Sequence, residues 1–334
     1  MTDSSLEKID FVITWVDGND PVWQADKSKY SPNGGDVRPA RYREWDQLKY
    51  WFRSIELYAP WVNKIHFVTY GHLPEWLDTS NPRLHIVNHS DFIPKEFLPV
   101  FNSTAIEIHL HRIPGLSEQF VYFNDDFYLM KECRESDFFV NGLPVDEAFF
   151  IPVIPHNDDM YFYHLYNDYS VYSRYFNRSD FYGHIIKYLH PRFIRNNFLQ
   201  LLAKSKYIRP LHYPKSFLKS SFETVWKDHG DILNGTARAK FRSITDNSPE
   251  LFRGYQIMTG KFHPAYKRKS AILVTTSDYE KASSVIESGK YKFFVLNDSD
   301  IDDFETAKEK INRSFENVLP LHCSFEKKQH SCDV

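Results

Sequence analysis

The chain has 334 residues, enough for one large domain or two ordinary ones. Its 41 basic and 44 acidic side chains leave a net charge of −3, which excludes the basic footprint of a protein that binds duplex nucleic acid. Only 12 residues are glycine, whereas aromatic residues make up 17% of the chain, so we expect a folded protein without low-complexity linkers.

The first residues, MTDSSLEKIDFVITWVDGND, predict a cytoplasmic protein. Their apolar run is short and no basic leader precedes it, so we expect no signal peptide. No run in the chain approaches the roughly 18 apolar residues of a transmembrane segment. Cys133, Cys323 and Cys332 are odd in number and lack metal-ligand spacing, which is typical of free thiols in a reducing compartment.

Strand and helix patterns alternate in the first third of the chain. Short runs of apolar, β-branched and aromatic residues predict four strands, at 10–16, 64–70, 83–89 and 119–124. Apolar residues at helical spacing in WDQLKYWFRSIELYAP predict a helix between the first two strands, and a capping-box pattern at 104–107 predicts another before the fourth. This alternation is typical of the α/β class, with a mostly parallel, Rossmann-like sheet.

The pattern changes after the fourth strand. Asn141-Gly142 between apolar residues predicts a hairpin, and an aromatic-rich, mostly helical stretch follows it. Strand character returns with SAILVTT and YKFFVL, and a last helix is predicted at 303–317. We therefore predict a catalytic core formed by 8–135 and 265–325, with the late strands joining the first sheet, and a helical subdomain or lid inserted at 136–264.

Three predicted strands run directly into acidic turns, WVDGND, YFNDDF and VLNDSD. In open α/β sheets, ligands bind outside the carboxyl ends of the strands. The aspartates of these turns are then expected to meet on one rim of the sheet; they are Asp17, Asp20, Asp125, Asp126 and Asp298. An all-oxygen set without cysteine suits Mg²⁺ or Mn²⁺, and Mg²⁺ usually shares its shell with substrate phosphates. A diphosphate substrate follows, although each turn alone is equally typical of an ordinary loop.

The usual phosphate-binding loops, GxxxxGK[ST] and GxGxxG, are missing from the chain. Phosphate would therefore be held by the metal ion and by basic side chains. The candidates for that role are Arg41, Arg43, Arg112, Lys215 and Arg242. Each of them, taken alone, is also consistent with a solvated surface charge.

His212 is the candidate general base. It lies between Pro210 and Pro214, which restrict the backbone and would hold the imidazole in place. Histidine is suited to proton transfer near neutral pH. The alternative is a loop histidine without a catalytic role.

Three longer blocks carry a family resemblance: IDFVITWVDGNDPVW, RYREWDQLKYWFRSIELYAPWVNKIHFVTYGHLPEWL and HLHRIPGLSEQFVYFNDDFYL. They resemble the Stealth family, which contains bacterial capsular and exopolysaccharide sugar-phosphate transferases and the catalytic subunit of N-acetylglucosamine-1-phosphotransferase. Further blocks of the same kind are PLHYPKSFLKSSFETVW and KFFVLNDSDIDDFETA. The resemblance covers about half of the chain.

The resemblance implies transfer of hexose-1-phosphate or N-acetylhexosamine-1-phosphate from a UDP-sugar to a glycan hydroxyl, with release of UMP and a need for Mg²⁺ or Mn²⁺. It also implies a glycosyltransferase-A-like core. By position, it makes Asp20, His212 and Arg242 catalytic. The implied metal ligands are Asp125, Asp126 and Asp298. The implied substrate-binding residues are Asp17, Asn19, Arg43, Arg112, Asn124 and Lys215.

Two other functions remain open at this stage. A metal-dependent glycosyltransferase would use the same donor but release UDP, and a non-catalytic module would bind glycans through the aromatic insertion. Those aromatic residues could equally form the core of the subdomain. We expect a lipid-linked oligosaccharide or growing polysaccharide as the acceptor, and action at the inner face of the cytoplasmic membrane. The sugar, the acceptor hydroxyl and the oligomeric state do not follow from the sequence.

Overall fold

A computed structural model describes residues 8–30, 43–151, 160–189, 191, 194, 197, 207–265 and 270–328. The strands are β1 (Ile9–Thr14), β2 (Ile65–Thr69), β3 (Leu84–Asn88), β4 (Gln119–Asn124), β5 (Phe127–Leu129), β6 (Phe139–Val140), β7 (Leu143–Asp146), β8 (Phe150–Ile151), β9 (Tyr207–Ile208), β10 (Lys215–Leu218), β11 (His263–Pro264), β12 (Ala271–Thr275) and β13 (Phe293–Asn297). The helices are α1 (Pro21–Tyr30), α2 (Leu48–Tyr58), α3 (His89–Phe92), α4 (Ser103–Glu107), α5 (Met160–Tyr172), α6 (Arg178–Gly183), α7 (Ile185–Tyr188), α8 (Lys219–Arg238), α9 (Glu250–Met258), α10 (Tyr279–Ser288) and α11 (Phe304–Val318).

The central sheet has five strands in the order β10-β4-β1-β2-β3. The four strands predicted from the first third of the chain are all parallel neighbours in it, and β10 joins the edge antiparallel to β4. The prediction of an α/β fold with a mostly parallel sheet is confirmed. Because β10 comes from within 136–264, the range predicted as an insertion supplies one strand of the central sheet.

The late strands do not return to this sheet, which corrects that expectation. Instead β12 and β13 pair in parallel, and β13 pairs antiparallel with β5 in a second sheet. The chain leaves β4 at Asn124, turns through Asp125 and Asp126, and enters β5 at Phe127. The acidic turn is therefore the point at which the chain passes from one sheet to the other.

Alternate residues of the central strands pack into two separate cores. Phe11 and Phe123 face a core shared with α2, α11 and the second sheet, whereas Val12 and Tyr122 face a core shared with α8 and α9. Burial on both faces explains why these strands are continuous apolar runs in the sequence. The carboxyl ends of β1 and β4 are thus held rigidly side by side.

Two local predictions have different outcomes. Asn141 and Gly142 take the positive φ angles of 51° and 74° that a tight hairpin requires, and they join β6 to β7 as predicted. The capping box at 104–107 is wrong, because the N-cap of α4 is Asn102, two residues before Thr104, and the Asn102 side chain accepts a hydrogen bond from the Thr104 amide. Glu107, the last residue of α4, therefore does not cap this helix.

The aromatic helix α5 combines both roles considered for it. His164, Leu165 and Tyr172 are buried, so part of the helix belongs to the core. Along its first turns the side chains of four aromatic residues are exposed, namely Tyr161, Phe162, Tyr163 and Tyr166. The segments 152–159 and 198–206, which were also predicted to belong to this subdomain, lie outside the described residues.

No helix in the described part of the chain is both long and apolar enough to cross a membrane. Cys133 and Cys323 are buried, and neither forms a disulfide with another described residue. Cys332 lies outside the described residues.

Candidate active site

A cavity of about 470 Å³ opens at the carboxyl ends of β1 and β4. This is the edge of a parallel sheet at which α/β proteins bind ligands. Its walls come from β1 and α1, from the start of α3, from the segment around α4, and from the loop after α8. The lining residues are Thr14, Trp15, Val16, Trp23, His89, Val100, Phe101, Ser103, Ile106, Glu107, Asn124, Asp125, Met160, Phe241 and Arg242.

The walls of this cavity are largely aromatic. The ring centroids of Phe101 and Phe241 are 5.6 Å apart in a stacked pair, and Trp23 meets Phe101 edge-on at 6.1 Å. The polar groups lie on a few positions between these rings. Apolar walls with a few convergent polar groups are typical of a small-molecule site.

The first acidic motif shapes one wall of the cavity. The Asp17 amide donates to His72 Nε2 at 2.7 Å, and Asp17 Oδ1 accepts from the Asn19 amide at 2.8 Å. Asp20 Oδ1 accepts from the Trp23 amide at 2.6 Å, so Asp20 caps α1 and places the Trp23 ring. In this structure Asp17, Asn19 and Asp20 support the wall and do not line the cavity themselves.

The second acidic motif lies on the cavity floor. Asn124 and Asp125 line the cavity, and Asp125 is exposed to it. Burial raises the pKa of Asp125 to about 7, with further contributions from the charges of Asp126 and Glu44. Water in the cavity also reaches this carboxylate, and solvent screening reduces the upward shift of the Asp125 pKa.

Asp126 is the partner of Asp125 in the turn. Its Oδ1 is buried without a hydrogen-bond partner among the described residues, and its Oδ2 lies 3.4 Å from His212 Nε2. A buried carboxylate oxygen without a donor is costly, so this oxygen is suited to receive a ligand. The structure thus brings together Asp125, Asp126 and His212 from the predicted set.

Glu44 is an acidic residue of this site that the sequence analysis missed. Its charge raises the pKa of Asp125, and its own pKa is raised by burial and by the charges of Asp46 and Asp17. The sequence analysis read its neighbourhood, RYREWD, only for arginines. A carboxylate between Arg43 and Trp45 gives no local signal that it faces an acidic turn more distant in the chain.

The fit of a divalent cation rests on the Asp125–Asp126 turn. Within the described ranges, no three or more His, Cys, Asp and Glu side chains are grouped as a metal ion would require, so Asp125, Asp126 and Asp298 are not one ligand set. Mg²⁺ needs only one or two protein carboxylates when substrate phosphates complete its shell. Two adjacent carboxylates, one with an unpartnered buried oxygen, fit that requirement.

Asp298 lies in a different environment from the one predicted for a metal ligand. Arg43 donates to both of its oxygens, from Nε at 2.8 Å and from Nη2. Trp45 Nε1, Thr276 Oγ1 and the Ser299 amide donate to the same carboxylate. With both oxygens occupied, Asp298 has no room for a cation here, and Arg43 is engaged with Asp298 and not with a substrate.

The loop that carries His212 is clamped at both ends. On one side, Arg253 donates to the Arg209 carbonyl at 2.9 Å, and on the other, Lys215 Nζ lies 3.4 Å from Glu250. Arg253 is buried and also binds Glu250 in an ion pair of 2.9 Å. The His212 ring meets the edge of Phe127 at 4.9 Å.

The predicted basic residues therefore lie in different environments, and Arg41 lies outside the described residues. Arg242 lines the cavity and donates to Ser103 Oγ at 2.6 Å. Lys215 is held in the buried ion pair with Glu250, and Arg112 packs over the Trp226 ring at 4.8 Å without lining the cavity. The structure retains Arg242 as a candidate for phosphate binding and gives Arg112 and Lys215 structural partners.

Two histidines near the cavity were also missed. Burial lowers the pKa of His89 to about 4, with a smaller contribution from His72, and burial lowers the pKa of His72. Both imidazoles are then neutral near pH 7, and His72 Nε2 accepts the Asp17 amide accordingly. In a chain with 15 histidines, nothing local marks these two.

An α/β sheet with a cavity at its strand ends, two facing carboxylates and a nearby histidine defines an enzyme site. The family models for Stealth conserved region 1 and conserved region 2 match residues 7–35 and 41–145. A capsular polysaccharide phosphotransferase, WcwK of Streptococcus pneumoniae, is 38% identical over 96% of this chain and 100% of its own. The chain belongs to the Stealth family, and the prediction of a phosphotransferase is confirmed.

Other relatives have related names. The receptor polysaccharide phosphotransferase WefC of Streptococcus oralis is 35% identical over 96% of this chain and 100% of its own. The exopolysaccharide phosphotransferase cps2G of Lactiplantibacillus plantarum is 35% identical, with 96% of each chain covered.

Among solved structures, the galactosyltransferase LgtC has a TM-score of 0.41 at 11% identity, covering 92% of this chain and 95% of its own. The order and parallel pairing of the strands define the fold class, since a similarity this distant does not support an assignment.

Proposed function

We propose that this enzyme transfers hexose-1-phosphate or N-acetylhexosamine-1-phosphate from a UDP-sugar to a hydroxyl of a glycan. The product would be a phosphodiester linkage and UMP, formed during synthesis of a capsular or exopolysaccharide. The observation that carries the proposal is the Asp125–Asp126 turn, which lies on the cavity floor beside His212. The names of the relatives, which are polysaccharide phosphotransferases, support the same reaction.

The cavity would bind the nucleotide part of the donor. Its aromatic walls suit a planar base, and Arg242 is the basic residue that lines it. Asp125 and Asp126 would hold Mg²⁺ or Mn²⁺ against the diphosphate. Bound there, the cation would neutralise charge on the phosphate oxygens, which is most of what a phosphoryl-transfer site must supply.

His212 would act as the general base. The acceptor hydroxyl oxygen attacks the β-phosphorus, and the bond from that phosphorus to the bridging oxygen breaks, so that UMP leaves with the bridging oxygen. The hydroxyl proton passes to the imidazole. A Nε2–H group facing Asp126 at 3.4 Å leaves Nδ1 of the neutral ring to accept this proton.

The acceptor would be a lipid-linked oligosaccharide or a growing polysaccharide, at the inner face of the cytoplasmic membrane. The exposed aromatic side chains at the start of α5 offer a surface for sugars, since Met160, the first residue of that helix, lines the cavity. A glycan lying along α5 would therefore end beside the donor.

The nucleotide product tests the proposal directly. The enzyme is incubated with a panel of UDP-sugars, a lipid-linked oligosaccharide and Mg²⁺, and the nucleotides are separated by chromatography. We expect UMP in amounts equal to the product, and none with Asp126→Asn. Release of UDP without UMP would identify a glycosyltransferase instead, and glycan binding with no nucleotide released from any donor would identify a binding module.

A further inference from the structure

Glu107 is a buried carboxylate that lines the donor cavity and has no role in the reaction described so far. Only 8% of the residue is exposed, and that part faces the cavity. The Tyr122 hydroxyl donates to Oε1 at 2.9 Å, and Thr14 Oγ1 lies 3.0 Å from the same hydroxyl. The Tyr122 hydroxyl has a single proton, which it donates to Glu107, so Thr14 donates to Tyr122. The hydrogen bonds therefore run from Thr14 through Tyr122 to the Glu107 carboxylate.

No cation balances this carboxylate within the described parts of the chain. None of their Lys, Arg and His side chains lies within 4.0 Å of it in an ion pair, and Oε2 has no hydrogen-bond donor among the described residues. Arg242, the basic residue of the same cavity, donates to Ser103 instead. Hydrogen-bond donors stabilise a buried carboxylate, so Oε2 is suited to accept a hydrogen bond from a group that enters the cavity.

The ligand group at Glu107 must be a hydrogen-bond donor. A phosphate in direct contact with Glu107 is disfavoured, because the two anions repel each other when no cation lies between them. A hydroxyl is suited, because an ionised carboxylate only accepts hydrogen bonds and a hydroxyl can donate one. The aromatic rings of Trp15 and Phe101 line the same cavity, and such rings are suited to pack against a ring that carries hydroxyls.

We propose that Glu107 binds a hydroxyl group of the nucleotide-sugar donor and thereby selects donors that carry it. This inference rests on the proposed function for the identity of the ligand. The hydroxyl has two possible sources, the ribose and the transferred sugar. Carboxylates bind ribose hydroxyls in other nucleotide sites at sheet edges.

The experiment measures binding without turnover, by calorimetry, so it stands even if the proposed reaction is wrong. The ligands are UMP, 2′-deoxy-UMP and 3′-deoxy-UMP, a UDP-sugar with matched deoxy-sugar analogues, and pyrophosphate, which carries no hydroxyl. The variants are Glu107→Gln, which keeps the shape and the Tyr122 contact, and Glu118→Gln, a control at the opposite edge of the sheet whose carboxylate accepts from exposed Ser220.

If the ribose is the source, wild type should bind one deoxy-UMP about 10-fold or more weakly than UMP, because hydrogen bonds to charged groups are the strong ones. Glu107→Gln should shrink that ratio toward one. If the transferred sugar is the source, Glu107→Gln should bind UMP as tightly as wild type does, and should bind the UDP-sugar more weakly than wild type. With one of the deoxy-sugar donors, the affinities of Glu107→Gln and wild type should be equal. Glu118→Gln should match wild type throughout.

Equal binding of every deoxy ligand by wild type would overturn the proposal, and this arm needs no variant to fold. Glu107→Gln with wild-type affinity for all ligands would overturn it as well. So would an equal loss of pyrophosphate binding, since that would show a damaged cavity and not a lost hydroxyl contact.

Discussion

The turns after β4 and β13 have the same local sequence, Asn-Asp after a buried aromatic strand, and yet they form opposite environments. Asp125 lines a cavity, and the adjacent Asp126 has one buried oxygen without a partner among the described residues. Asp298 is closed off by Arg43 and by donors from Trp45, Thr276 and Ser299. The difference is made by residues that arrive from elsewhere in the chain. An acidic turn thus becomes a candidate ligand site only where no cation has already been supplied by the protein.

Removing the acid at the centre of the open turn should have the largest effect. Asp126→Asn loses a cation ligand and the partner of His212 together. Each loss costs about 10²-fold or more, so the transfer rate should fall by about 10⁴-fold. The measurement is the initial rate of UMP release, with a thermal melt to show that the variant is folded. A rate within a factor of ten of wild type would place the reaction elsewhere.

The histidine of the open turn should come next. His212→Ala should lower kcat by about 10²–10³-fold and leave donor binding intact, because a base acts on the acceptor proton. The fall in rate toward acid pH should flatten in the variant. His212→Asn should do no better, since an amide cannot take up the proton. Near-normal kcat in the Asn variant would reduce His212 to a loop residue, and Asp20 would be the next candidate base.

A substitution in the closed turn should change the stability of the protein more than its transfer rate. Asp298→Asn removes a charge from a bidentate pair with Arg43, and we expect a loss of about 1–3 kcal/mol in the free energy of unfolding. The transfer rate should fall by less than about 10-fold. Asp300→Asn, an exposed neighbour, is the matched control and should change neither. A stable Asp298→Asn variant that has lost the rate would return Asp298 to the catalytic set.

Asp168 is a closed carboxylate without a cation among the described residues, and its replacement should have the smallest effect on the transfer rate. Asp168 is fully buried, and burial raises its pKa to about 8 despite hydrogen bonds from Ser248 and Asn247. The folded state therefore holds this proton between about pH 4 and 8, whereas the unfolded chain releases it. The contribution of Asp168 to stability should be largest below about pH 4 and should decline up to about pH 8, by at most about 1.4 kcal/mol per pH unit. Urea titrations should show a flatter profile for Asp168→Asn, and an unchanged profile would mean that Asp168 is ionised.

The sequence predicted what local patterns determine. Strands buried on both faces read as continuous apolar runs, so β1 and β4 and the edge where their ends meet could be predicted. The Asn141-Gly142 hairpin followed from its need for positive φ angles. The Asn-Asp-Asp turn was predicted as the site, and it now lies on the cavity floor.

What remained unpredicted depends on long-range contacts. Arg43 reaches Asp298 across 255 residues, and no spacing rule connects them. Glu107 fits a capping box in the sequence, but the helix begins at Ser103 with Asn102 as its N-cap, and the Glu107 carboxylate lines the cavity. The local sequence gives the type of turn, whereas the partners that open or close it come from the fold.

The most direct test of this account is the binding of UDP in the presence and absence of Mn²⁺, measured by calorimetry for wild type, Asp126→Asn and Asp298→Asn. We predict that Mn²⁺ strengthens UDP binding to wild type and to Asp298→Asn, and that Asp126→Asn loses this gain. Loss of the gain in Asp298→Asn together with its survival in Asp126→Asn would show that the closed turn holds the cation, and would contradict the account.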